Sequence, residues 1–140
     1  MRVIPEQAVV MPVGVAERAV GDLRERYDPW HIPASILLAT WVPDDLAEVA
    51  ARFSPFGFKL ATAATRDGNL VLVPDPIEPF RDLVEALESQ VEPELFVATH
   101  DNPATLDTTR MILKSVLPIE AYAAELSVYE GTTLVRTVPL

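Results

Sequence analysis

Cysteine is absent from this 140-residue chain. That excludes disulfides and thiolate metal sites, and it fits a cytoplasmic protein. Histidine occurs only twice, at His31 and His100, far apart. With no cysteine beside them a transition-metal centre lacks ligands, so no metal and no cofactor is expected. Basic residues are scarce as well: 11 Lys and Arg against 21 Asp and Glu give a formal net charge of −10. Nucleic-acid binding needs a basic patch or stripe to neutralise phosphates. Here the bases are scattered singly, apart from Arg24 and Arg26, so a polynucleotide partner is disfavoured and the acidity reads as a solvated surface. Long apolar runs are missing. Residues 35–42 are far too few to cross a bilayer, and Met1-Arg2-Val3-Ile4-Pro5 breaks at once into Glu6-Gln7, unlike a secretory leader. There is no glycine-rich phosphate loop, no paired histidine–carboxylate spacing on a helix and no nucleophile elbow.

What is present suits one globular domain over residues 1–140, with 49% hydrophobic residues and 23% charged, enough to bury a real core. Thirteen prolines punctuate element boundaries one at a time. Ala8-Val9-Val10-Met11, ended by Pro12, reads as a buried first strand. Ala16, Ala19, Val20, Leu23 and Tyr27 recur at helical spacing and predict a helix over 16–27, stopped by Asp28-Pro29. A strand follows at 34–41, then a helix from Pro43-Asp44-Asp45 using Leu46, Val49, Ala50 and Phe53. Residues 58–65 and 70–73 flank Arg66-Asp67-Gly68-Asn69 as a β-hairpin. Residues 76–90 form a third helix on Phe80, Leu83, Val84 and Leu87, and residues 94–98 the next strand. Asp101-Asn102-Pro103 caps a helix running to about Val116, and residues 119–129 and 132–138 form a second hairpin.

Two of these strands echo each other. Pro33-Ala34-Ser35-Ile36-Leu37-Leu38-Ala39-Thr40 aligns with Pro93-Glu94-Leu95-Phe96-Val97-Ala98-Thr99 when the Ala-Thr pairs are matched. Ser35 then falls on Glu94 and Leu37 on Phe96. In order and spacing of elements the chain resembles the 2H phosphoesterase (2'-5' RNA ligase-like) superfamily, whose members carry two His-x-Thr/Ser motifs on central strands facing one cleft. The resemblance implies an α+β fold: a bilobed, pseudo-twofold arrangement of two antiparallel sheets flanking a central cleft, with helices outside. It covers nearly the whole chain, including Glu6-Gln7-Ala8-Val9-Val10 and Leu117-Pro118-Ile119. The link Ser89-Gln90-Val91-Glu92 is shorter than relatives carry, which implies a cleft more open on that side.

The motifs themselves are degenerate, reading Ser35-Ile36-Leu37 and Glu94-Leu95-Phe96. In the resembled family one histidine is general acid, the other general base, and the hydroxyl residues hold phosphate oxygens. That chemistry needs two groups titrating near neutrality on opposite sides of phosphorus. Ser35 does not titrate there, Leu37 and Phe96 donate no hydrogen bond, and Glu94 would repel an approaching phosphate. Strand alternation puts Ser35, Leu37 and Trp41 on one face and Glu94, Phe96 and His100 on another, giving an apolar cleft floor with one acid. Burial there would raise the pKa of Glu94 towards a working general acid or base.

Each residue also has a plainer reading. Glu94 can be a solvent-facing residue at a strand start, and Ser35 a small residue tolerated where nothing reactive is needed. Trp41 and Phe96 can be core, Trp30 and His31 an ordinary Pro-rich loop before the strand, and His100 part of a helix cap.

The expectation is therefore a cytoplasmic 2H phosphoesterase-like protein that has lost phosphodiesterase chemistry. Its cleft binds or transforms a small hydrophobic molecule by isomerase-, cyclase- or dehydratase-type chemistry, as in specialised biosynthesis. Glu94 and Ser35 are the catalytic candidates, and Leu37, Trp41, Phe96, His31, Trp30 and His100 line the pocket. Two alternatives stand beside it: a non-enzymatic binding or regulatory module, and residual cyclic phosphodiesterase activity through His31 or His100. A homo-oligomer is compatible with the sequence, and no membrane partner is called for.

Overall fold

The structure, a computed structural model, describes residues 2–140. It is α+β, with strands β1 (Gln7–Pro12), β2 (Ser35–Ala39), β3 (Phe56–Arg66), β4 (Asn69–Asp75), β5 (Leu95–Thr99), β6 (Ile119–Ala123), β7 (Glu125–Glu130) and β8 (Thr133–Pro139). The helices are α1 (Glu17–Tyr27), α2 (Leu46–Ala50), α3 (Glu78–Ala86) and α4 (Pro103–Leu113), with short 3₁₀ turns before α1 and after α4. No helix among the described residues is long and apolar enough to cross a membrane.

Local chemistry explains most boundaries. At the β3–β4 hairpin Asp67 and Gly68 both have positive φ, +50° and +79°, the pairing a two-residue turn needs to match strand twist. Asn102 caps α4 by accepting the Ala104 N–H at 2.9 Å, with Pro103 in the first turn where its missing N–H costs nothing. Helix α3 is shorter than the apolar pattern over 76–90 predicts. It ends in a Schellman arrangement: the Ser89 N–H bonds the Val84 carbonyl and the Glu88 N–H the Glu85 carbonyl, each at 2.9 Å. The residue at φ +54° in that cap is Glu88 rather than glycine, so no glycine marked the stop.

Two expectations are revised. Residues 119–129 are not one strand. They divide at Ala124 into β6, which pairs with β3, and β7, which pairs with β1. Nor are there two hydrogen-bonded sheets. All eight strands belong to one antiparallel sheet in the order β6-β3-β4-β5-β2-β1-β7-β8. In that order β6 and β7 stand six places apart, about 29 Å in a flat sheet. One linking residue spans only about 7 Å, so the sheet must curl until β6 and β7 approach each other at Ala124. The Leu140 N–H, bonded to the Ala124 carbonyl at 3.0 Å, ties down the same point.

The sheet is internally symmetric. Unit β1-α1-β2 corresponds to β4-α3-β5, and the two meet at the β2–β5 seam, where Ile36 opposite Leu95 is the one register pair. Both units carry a bulge at the same place. Val9 pairs with Ala39 and Val10 with Leu37, leaving Leu38 extra. Leu70 pairs with Ala98 and Val71 with Phe96, leaving Val97 extra. The helices are exchanged, because α1 packs against β5 and α3 against β2. The main core lies on this helical side and includes Ile36, Leu38, Leu95, Val97, Phe80 and Leu83.

Candidate functional site

Because Ile36 and Leu95 point into the helical core, their neighbours on β2 and β5 must face the other side. Ser35, Leu37, Glu94 and Phe96 therefore share one face at the central seam. Continuing the antiparallel register from Ile36–Leu95 sets Ser35 across from Phe96 and Leu37 across from Glu94. Ser35 spends its hydroxyl locally, donating to the Pro33 carbonyl at 2.8 Å. Leu37 packs against a small second core of Ala8, Val10, Trp30, Ile32 and Tyr129.

Glu94 is buried, with 8% of its surface exposed. Arg66, reaching over from the β3–β4 hairpin, brings Nη1 to 2.5 Å from Glu94 Oε2. The contact is close but misaligned, since no donor meets that buried oxygen with hydrogen-bond geometry. Burial pushes the carboxyl above its ordinary value of 4.5; Arg66 pulls it back and Glu92 pushes it up further. Burial prevails because the Arg66 side chain is itself half exposed, so water screens its charge.

The remaining candidates lie apart from one another. Trp30 is 1% exposed and serves as core, its indole N–H donating to the Gly131 carbonyl at 2.8 Å. His31 is exposed, on the rim of a cleft with Glu17, Arg24 and Glu25. Trp41 lies beyond the end of β2, 41% exposed, beside Pro43, Arg52 and Leu87. Strand β2 stops at Ala39, so the alternation that would carry Trp41 to the motif face does not reach it. His100 accepts the Asn102 N–H on Nδ1 at 2.9 Å and meets Tyr27 edge-on, ring centroids 5.9 Å apart. Neither histidine hydrogen-bonds Ser35 or Glu94 among the described residues. His100 does share a cavity of about 380 Å³ with Arg66, Thr65, Thr99, Asp101 and Leu106. No group of three or more His, Asp or Glu suited to a metal ion occurs among the described residues.

Sequence reasoning missed four residues that organise this region. Arg24, buried on α1, donates from Nε to the Phe96 carbonyl at 3.0 Å and from Nη1 to the Ile32 carbonyl at 2.7 Å. It thereby satisfies β5 where β2 has parted from it. Asp28 pairs with Arg24 at 3.3 Å and also with Arg2. The i,i+4 spacing of Arg24 and Asp28 was a visible signal. Arg2 and Arg66 left none, because their partners are distant in sequence.

No protein-family model matches the chain, and no curated protein matches it. Solved structures similar to it include Usb1 of Kluyveromyces marxianus, 11% identical, covering 99% of this chain and 100% of that one with a TM-score of 0.49. E. coli LigT complexed with ATP is 13% identical over 97% of this chain and 94% of that one, also with a TM-score of 0.49. Both are 2H phosphoesterase superfamily members, and this chain is similar to them in overall fold. The likeness is one of chain path and assigns no residue a role.

Proposed function

We propose that this is a 2H phosphoesterase-like protein, bilobed about the β2–β5 seam, that has lost phosphodiesterase chemistry and binds a small, largely apolar molecule beside β5. The observation that carries the reading is the Glu94–Arg66 pair at 2.5 Å. A buried carboxyl of raised pKa occupies one motif position, and the arginine that positions it also lines the cavity shared with His100 and Leu106. Arg66 and His100 suit an acidic head on the ligand, while Leu106 and Pro103 suit an apolar body. Glu94 would then supply proton transfer for an isomerisation, cyclisation or dehydration in cytoplasmic biosynthesis. Ser35, bonded to its own loop, has no role in that chemistry.

A suitable probe pair is hexanoate and hexanol, followed by NMR at the His100 ring. Hexanoate should bind at millimolar concentration and hexanol more weakly. Arg66→Ala should remove the preference, and Glu94→Gln should leave binding intact. Hexanoate binding undiminished in Arg66→Ala, or no binding of either probe, overturns the reading.

The second reading is a non-enzymatic binding or regulatory module. Trp30 and Ile32, packed against Leu37, favour it, since they fill the motif face on the β2 side where a substrate would otherwise sit.

A further inference from the structure

A second site, separate from the cavity lined by Arg66 and His100, stands out on the Trp30 side of Phe96. The Arg2 guanidinium lies over the Phe96 ring at 4.0 Å and beside the Trp30 ring at 5.2 Å. It is ion-paired with Asp28, and the side chains of Arg2 and Asp28 are 9% and 1% exposed. Two aromatic faces and one buried carboxylate around a planar cation are the elements of a guanidinium receptor.

The walls are held by bonds that do not involve Arg2. Trp30 is fixed by its indole bond to the Gly131 carbonyl and by its backbone N–H, which donates to Asp28 Oδ1 at 3.0 Å. Phe96 is fixed through its carbonyl by Arg24. The segment carrying Arg2 is held far more loosely. Val3 is 82% exposed and Ile4 43%, and the strand ladder begins only at Gln7.

Charge balance points the same way. Arg24 lies 3.8 Å from Glu17 and 3.3 Å from Asp28, so the cluster holds two cations and two anions. Without Arg2 it would carry one unmatched negative charge beside two aromatic faces.

We propose that Asp28, Trp30 and Phe96 form a binding site for an alkylguanidinium group, which Arg2 occupies as a tethered stand-in. A ligand presenting that group, either a free guanidino compound or an arginine side chain of a partner, enters by displacing Arg2.

The test uses the full chain carrying Arg2→Ala, titrated with methylguanidinium and, separately, methylammonium, and observed at the Trp30 indole N–H by NMR. Methylguanidinium should give a saturable shift and raise the thermal midpoint. Methylammonium, lacking the planar fork, should do neither. Adding Phe96→Leu should weaken binding about threefold or more by removing one aromatic face. A tethered occupant competes at an effective concentration on the order of millimolar, so the unmodified chain should need more ligand. There the Arg2 Nε–H signal should lose its protection as displacement proceeds, a readout that stands even if Arg2→Ala folds poorly. Comparing free arginine with a blocked Ala-Arg-Ala peptide separates the two sources. No saturable shift in Arg2→Ala, equal shifts with methylammonium, or a Phe96→Leu variant that binds unchanged each overturns the proposal. So does an Arg2 signal in the unmodified chain that methylguanidinium never displaces.

Discussion

Ile36 stands directly across from Leu95 at the centre of the sheet, and in the internal alignment these two residues are counterparts. The pseudo-twofold axis therefore passes between them, and both are fully buried. Their neighbours inherit the symmetry: Ser35 and Glu94 lie diagonally across the axis, as do Leu37 and Phe96. The backbone is thus matched across the axis, while the side chains at the paired positions differ: a hydroxyl against a carboxyl, and a leucine against a phenylalanine.

Removing packing at the axis should be costly. Leu95→Ala should lower stability by about 2–5 kcal/mol, as expected for a fully enclosed leucine. Leu134→Ala, on the exposed face of β8, should change it by no more than about 0.5 kcal/mol. Urea midpoints at constant m-value test both, and similar losses at the two sites would contradict the seam as a packed centre.

Phosphodiesterase turnover should be absent. Purified protein incubated with a 2',3'-cyclic nucleotide should show background hydrolysis, because the central seam carries Ser35 and Glu94 and no histidine, and neither histidine hydrogen-bonds either residue among the described residues. Robust turnover lost in His100→Ala or His31→Ala would show that the replaced pair has a substitute.

Single-stranded RNA should bind no tighter than roughly 10⁻⁴ M at physiological salt, the weak non-specific range. The net charge of −10 is the reason. Micromolar affinity that falls steeply with added salt would refute this.

Stability should depend on pH through Glu94. Its folded-state pKa is raised above 4.5, so between 4.5 and that raised value the folded state holds a proton the unfolded state has lost. The contribution is complete below 4.5 and is lost as pH rises through the folded value. Glu94→Gln removes this dependence, so near neutrality the variant should equal or slightly exceed the parent. An NMR titration placing the carboxyl at 4.5 would abolish this dependence, and one placing it below 4.5 would reverse the sign.

Glu88→Gly should stabilise the protein by about 0.5–1 kcal/mol. It relieves a Cβ held at φ +54°, less the extra backbone entropy glycine brings to the unfolded chain. A lower thermal midpoint in Glu88→Gly would mean the Glu88 side chain contributes more than its backbone costs.

The sequence carried the strands, the helices and the internal echo because these rest on local periodicity and on the Ala-Thr pairs. Even the matched bulges follow the alignment that set Leu37 on Phe96. What it concealed depends on contacts distant in the chain. Nothing in residues 119–129 marks Ala124 as the point where the chain passes from edge strand β6 to β7 at the far side of the sheet. The stop of α3 used glutamate where glycine is usual. Of the candidate site, Glu94, Phe96, Leu37 and Ser35 do gather at one seam. Trp41 is separated by the early end of β2, and Trp30 is taken into the core. Arg2 and Arg66 went unread because their partners, Asp28 and Glu94, are distant in the chain, whereas the Arg24–Asp28 pair was legible in its i,i+4 spacing.

The division at Ala124 also bears on the order in which the protein can assemble during synthesis. Strands β3 to β6, with α3 and α4, are contiguous and can form their half of the sheet as soon as they emerge. Strand β1 is made first, yet one of its two partners is β7, made near the last. Until β7 appears, β1 keeps an unpaired apolar edge, the kind of surface that captures neighbouring chains. The first strand made is thus among the last to be fully paired, and in a newly made chain it is the segment most in need of protection.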